Sequence, residues 1–158
     1  MLVLHRITRV LAAGVAGCEA RVRVLDGASL RVGPREIVAL AGASACERTL
    51  VLLCAAGLAR VDAGAVIARG RRRYLHAAEL DPACDEEILL VDHADAPGAR
   101  HALARAVARG ATILCAAADA DAFARAGARV ITLRDGAFVE VQPRTRVSRA
   151  RVAERALR

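Results

Sequence analysis

At 158 residues the chain has room for one domain with a sizeable core, and a second domain is not expected. Hydrophobic residues make up 56% of it but aromatics only 2%, with no Trp, which suits small-residue helices packed on a sheet and argues against base stacking. The 24 basic and 17 acidic residues give +7, yet every basic residue is Arg, a compositional bias that carries little information about an anionic partner.

In chain order, Leu2 to Ile7, Arg21 to Leu25 and Ala28 to Val32 read as short strands, with Asp26-Gly27 and Gly33-Pro34 as turns. This is an antiparallel opening section. Ile37 to Ala41 is a continuous apolar run of the kind buried on both faces of a parallel sheet, and Thr49 to Leu58 reads as a helix ended near Gly57. Between them lies the small-residue turn Gly42-Ala43-Ser44-Ala45-Cys46-Glu47-Arg48-Thr49.

That turn has the outline of a phosphate-binding loop, GxxxxGK[ST], in which backbone amides and a helix N-terminus cradle phosphate while a Lys reaches the β and γ groups. Gly42 and Thr49 stand at its two ends. The second Gly has become Glu47 and the Lys has become Arg48, and with no Lys anywhere in the chain none can substitute. Arg still pairs with phosphate through a bulkier planar fork. A carboxylate repels it, and acids are favoured in the first turn of a helix, so Glu47 is a candidate to fill the anion position itself. The alternative is an ordinary first-turn acid pointing into solvent.

Further on, Ala65 to Ala68 is a short strand candidate, and Gly70 through Cys84 reads as an irregular polar surface connection. Ile88 to Asp92 is a second buried strand, and Gly98 to Arg109 is an amphipathic helix with Arg100, Arg105 and Arg109 outward, ended by Gly110. Thr112 to Cys115 and Val130 to Leu133 are buried strands around a short helix over Asp119 to Ala126, and Arg134-Asp135-Gly136 turns the chain into Ala137 to Val141. Strands alternating with helices imply right-handed crossovers and a largely parallel sheet. Gln142-Pro143 releases an Arg-rich tail, so residues 1–142 are expected as the core and 143–158 as an appendage.

Cys18, Cys46, Cys54, Cys84 and Cys115 are odd in number, widely spaced and without a CxxC pair, so they read as reduced and mostly buried small residues. No signal segment opens the chain, and Arg, Asp or Gly breaks each apolar run before it could span a bilayer. A cytoplasmic location is expected.

The order of these elements resembles the ATP-binding cassette of ABC transporters along nearly the whole chain. The stretch Val24-Leu25-Asp26-Gly27-Ala28-Ser29-Leu30, then Gly33 to Leu40, looks like the strands entering the family's Walker A loop, and Ala56-Gly57-Leu58 with Asp62-Ala63-Gly64 looks like the segment that leaves it. Ile88 to Asp92 is similar to Walker B, and Gly110 to Leu114 and Ala128 to Gly136 resemble the closing strands. The fold this implies is α/β, a P-loop NTPase-like, mostly parallel sheet flanked by helices with an antiparallel N-terminal section.

Functional positions taken from the resemblance are mostly replaced. Leu11 stands near the family's adenine-stacking aromatic, Ala77 and Ala78 stand where the Q-loop Gln belongs, and Ala118 stands where the switch His belongs. Walker B offers Asp92 followed by His93 in place of the Glu that polarises water. The D-loop is shortened to Asp95-Ala96-Pro97-Gly98, and Tyr74 and Ile88 are too close together for the helical subdomain and its LSGGQ signature. Gly42, Ser44, Glu47, Arg48 and Thr49 are then the altered Walker A positions, Thr49 and Asp92 are the retained Mg positions, and His93 is a candidate general base.

The reading expected from this is a reduced cassette without a resident cofactor, ATP and Mg being what any surviving site would take. It would act as a non-catalytic accessory or regulatory subunit beside an intact cassette ATPase or a transporter permease, at the inner face of the membrane, with a homodimer as a further partner arrangement. Two alternatives stay open. One is a weak nucleotide binder or slow ATPase using Arg48, Thr49, Asp92 and His93; the other is an anion or nucleic-acid module built on the tail Arg144, Arg146, Arg149, Arg151, Arg155 and Arg158, which the solvated-helix reading disfavours.

Overall fold

Alternate residues of each central strand bury into opposite sides of one sheet, and this alternation organises the whole molecule. In the computed structural model, which describes residues 1–15, 18–81 and 87–140, the strands β3 (Ile37–Gly42), β5 (Arg72–His76), β6 (Ile88–Asp92), β7 (Thr112–Ala116), β8 (Arg129–Arg134) and β9 (Ala137–Glu140) form a sheet of order β5-β6-β7-β3-β8-β9. All its pairings are parallel except the β8–β9 hairpin. A second sheet, order β2-β1-β4, is antiparallel and built from β1 (Leu2–Val15), β2 (Cys18–Val32) and β4 (Ala63–Ala68).

On one side, Val38, Leu40, Ile88, Leu90, Leu114, Ile131 and Leu133 pack with Val51, Leu52 and Ala55 of helix α1 (Ala45–Ala56) and with Leu2, Leu4, Ile7, Leu25 and Val32 of the antiparallel sheet. On the other, Ala39, Leu89, Val91, Ile113, Cys115 and Val130 pack with Leu103 and Ala106 of α2 (Ala99–Ala108) and Phe123 of α3 (Ala120–Arg125). Strands β6 and β7 are buried along their entire length, which is what their unbroken apolar runs require. Each fully buried Leu or Ile contributes roughly 1.5–3 kcal/mol of transfer free energy.

The expected parallel core and antiparallel opening are both present, with three differences. Asp26-Gly27 is not a turn: β2 runs on to Val32, with Gly27 at φ 64° donating its N–H to Thr8 Oγ1 and a register shift between Ile7 and Arg9 on β1. The Asp26 amide instead donates to Gly136 O, tying the antiparallel sheet to the β8–β9 turn. The segment read as a surface connection contains β5 and a 3-10 turn over Ala77–Glu79, with Leu75 buried, because the Arg-rich run is a sheet edge whose single apolar position meets the core. Helix α1 starts at Ala45, earlier than Thr49.

Arg100, Arg105 and Arg109 are exposed as expected. Cys54 and Cys115 are buried free thiols, whereas Cys46 is exposed in the first turn of α1. The side chain of Cys18, and Cys84 and the Arg-rich tail altogether, lie outside the described residues. Among the described residues no helix is long and apolar enough to cross a membrane.

Leu90 is fully buried between α1 and the sheet. Leu90→Ala is expected to cost about 2–5 kcal/mol, read as a lower urea midpoint at unchanged slope.

Candidate functional site

The C-terminal ends of β3 and β6, together with the start of α1, bring Gly42, Ser44, Glu47, Arg48, Thr49 and Asp92 into one region. Strand β3 ends in two left-handed residues, Gly42 at φ 67° and Ala43 at φ 48°. Only glycine fits the first of these, since a Cβ there would collide with Thr132 Cγ2. Ser44 then returns to extended geometry, φ −76° and ψ 160°, and caps α1.

The cap is reciprocal. Ser44 Oγ accepts from the Glu47 amide at 3.2 Å, and Glu47 Oε2 accepts from the Ser44 amide at 2.7 Å. The Arg48 amide donates to Ser44 O, so α1 is already helical where a phosphate loop would still be open. Hydrogen bonding from Ser44, chiefly its backbone N–H, holds the Glu47 carboxyl below its ordinary pKa range, with Arg48 adding attraction. Arg48 turns back over the loop, its Nη1 donating to Gly42 O at 2.7 Å and Ala43 O at 3.0 Å, while its Nε is buried without a partner.

Asp92, only 5% exposed, is the buried carboxylate of the region. Its Oδ2 accepts from Thr49 Oγ1 at 2.6 Å and from Tyr74 Oη at 3.0 Å, and its Oδ1 accepts from the His93 amide at 2.9 Å. These three donors tie α1, β5 and β6 together and compensate the charge. Burial first, then donation to Asp92, pushes the Tyr74 hydroxyl up to about 12.

His93 sits at φ 53°, exposed, and stacks its ring on His76 with centroids 4.7 Å apart. Asp95 accepts from the amides of Ala118 at 2.5 Å and Asp119 at 3.0 Å, fixing the loop after β7 from the loop after β6. Leu11 lies partly buried on β1, opposite Val22 of β2.

The expected pair Thr49–Asp92 is therefore in direct contact, and the expected Glu47 is a cap ligand. Sequence reasoning missed Tyr74 and Asp95. Tyr74 was hidden by reading its strand as a loop, and only the pairing of β5 with β6, which sets Leu75 opposite Val91, brings it to Asp92. Among the described residues no group of three or more His, Cys, Asp or Glu is placed to hold a metal ion.

No protein-family model matches the sequence, and no curated protein matches it. Solved structures do. The dimeric post-hydrolysis state of the ATP-binding cassette MJ0796 bound to ADP and Pi aligns with TM-score 0.71 and 16% identity over 91% of this chain and 99% of that one. The cassette cbiO1 from Clostridium perfringens, part of the ABC transporter complex cbiONQ, aligns with TM-score 0.67 and 10% identity over 98% and 91%. The ATP-binding subunit of an ABC transporter aligns at 0.65 and 15% over 96% and 93%. At these identities the likeness is one of fold, and the chain has a shortened ATP-binding-cassette fold, with residues 77–87 alone joining β5 to β6.

Tyr74 is the only tyrosine in the chain, so tyrosinate absorbance reads it directly. Its folded pKa is raised above the unfolded value of about 10, so its contribution to stability is intact below that value and is lost as pH rises through about 12. A tyrosinate transition near pH 12 in the folded protein, moving to about 10 in denaturant, is expected; a transition near 10 in both would contradict the Tyr74–Asp92 bond.

Proposed function

We propose that the protein is a non-catalytic cassette that acts through its surfaces, as an accessory or regulatory subunit beside an intact ATPase subunit or a transporter permease. The observation that carries this reading is the Ser44–Glu47 capping box. The loop amide of Ser44 already has a carboxylate partner at 2.7 Å, and the Glu47 amide already has the Ser44 hydroxyl. A phosphate entering this turn has to displace Glu47 and then meets its charge. At 4 Å, two unit charges repel by roughly 1 kcal/mol in water and by about 4 kcal/mol at the effective dielectric of a protein surface.

Two further contacts support the reading. Arg48 Nη1 is turned onto the loop's own carbonyls, Gly42 O and Ala43 O, and away from a phosphate that would need it. Asp92 has donors on both oxygens, so a cation at this carboxylate competes with the Thr49 and Tyr74 hydroxyls. Thr49 and Asp92 are oxygen ligands of the kind that suit Mg, but the loop does not fit the triphosphate that would complete the coordination. With Glu47 and Arg48 in the loop, His93 stacked on His76, and only residues 77–87 between β5 and β6, we assign no hydrolytic step.

The retained Thr49–Asp92 contact favours one alternative, a weak ATP–Mg binder using Arg48, Thr49 and Asp92. Thermal unfolding with and without millimolar ATP and Mg separates the two, applied to the natural chain, to Arg48→Ala and to the double variant Glu47→Gly, Arg48→Lys. The accessory reading expects no change in Tm for the natural chain and a rise of several degrees in the double variant, since ligand at about 100 times Kd adds roughly 2.7 kcal/mol. A rise of several degrees in the natural chain that Arg48→Ala abolishes overturns it in favour of nucleotide binding.

A further inference from the structure

We infer that the outward face of helix α2 docks against the phosphate backbone of duplex DNA without reading its sequence. The exposed positions recur at Arg100 and His101, at Ala104 and Arg105, and at Ala108 and the C-cap Arg109, one stripe opposite the buried Leu103 and Ala106. Arg100, Arg105 and Arg109 make no ion pair among the described residues, whereas Arg9, Arg23 and Arg129 each have one. Asp95, ahead of the helix, is turned onto the amides of Ala118 and Asp119. Arg35 extends the row past the C-terminal end of α2: it is exposed, has no ion pair among the described residues, and its Nε lies 3.8 Å from where a Cβ on Gly110 would stand.

Helix stability does not account for this pattern. The dipole favours Arg105 and Arg109 at the C-terminal end, but it disfavours Arg100 in a first turn that has no acid, and Arg105 and Arg109 repel as a same-sign pair four residues apart. The excess of Arg over Lys does not account for it either, since the chain has 17 acidic residues and α2 holds none. A row of cations kept against local preference marks a surface whose charge is met by a ligand.

The side chains between the arginines name the occupant. Only Ala104 and Ala108 stand there, and the large exposed apolar residues, Val22, Leu58, Ile67 and Val139, all lie elsewhere, so the face has nothing to bury in a bilayer and no anchor for a pocket on a protein partner. Guanidinium forks match phosphate oxygens, and at about 1.5 Å of rise per residue the three arginines stand roughly 7.5 and 6 Å apart along the axis, a regular array suited to the regular charge of a nucleic-acid strand. No Phe, Tyr or Trp lies on the face to stack an unpaired base, and no hydroxyl, amide or carboxylate side chain is there to accept from a ribose 2′-hydroxyl, which leaves duplex DNA. The face uses no residue of the Gly42–Thr49 loop or of the Arg-rich tail, so it stands or falls separately from the nucleotide question.

Fluorescence anisotropy of a labelled DNA duplex of about 20 base pairs with the full chain, from about 50 to 200 mM salt, tests it. The variant Arg100→Gln, Arg105→Gln, Arg109→Gln changes only exposed positions, so its thermal melt is expected to stay unchanged; Arg100→Glu suits the helix dipole and is expected to melt no lower while binding DNA more weakly. The expected result is DNA binding that the triple variant weakens by about tenfold or more, with the slope of log K against log salt reduced by roughly 2–3, since each phosphate contact contributes about 0.9. A chain that does not bind the duplex at the lowest salt overturns the proposal, and so does a duplex bound equally by the folded triple variant, which would place binding on the Arg-rich tail or another surface. Tighter binding to phosphatidylserine-containing vesicles or to the matching RNA duplex, lost in the same variant, overturns the choice of DNA.

Discussion

The structure depends on keeping one buried carboxylate hydrogen bonded. Asp92 ends a strand buried along its whole length and is 5% exposed, so its charge must be met by donors: Thr49 from α1, Tyr74 from β5 and the backbone at His93. A buried carboxylate left without partners costs several kcal/mol, so these donors fix where α1 sits over the sheet and how the edge strand β5 closes it. The raised Tyr74 hydroxyl and its donation to Asp92 are two sides of the same contact.

Placing α1 in this way also decides the chemistry of the preceding loop. The helix begins at Ala45, one turn ahead of Thr49, so the segment that would otherwise wrap an anion is coiled into the first turn of the helix. Glu47 and Arg48 then turn inward, one to an amide and one to two carbonyls, and the loop satisfies itself. The two side chains are complementary: the Glu47 carboxylate serves a loop amide, and the Arg48 guanidinium serves two loop carbonyls.

Much of this was legible in the sequence because it rests on local rules. The unbroken runs Ile88 to Val91 and Thr112 to Cys115 announced strands buried on both faces. The Ser44-x-x-Glu47 spacing is a local capping-box signal that a helix start at Thr49 passes over. What was not legible came from tertiary pairing. Arg71-Arg72-Arg73 looks like solvated loop until β6 is laid beside it, when Leu75 finds the core and Tyr74 finds Asp92. Asp26-Gly27 is a strong turn signal that a neighbouring strand overrode, because Thr8 and Gly136 capture the two amides. The earlier start of α1 is instead a local effect, the reciprocal Ser44–Glu47 cap setting the first turn at Ala45.

The central claim is that the loop amides already have internal partners. Backbone amide resonances of Ser44, Glu47 and Arg48, monitored by ¹⁵N-resolved NMR during titration with ATP and Mg, test it most directly. With the amides already bonded, these three resonances are expected to stay in place up to millimolar nucleotide. Saturable shifts centred on them, with loss of the Ser44–Glu47 bond, would contradict it.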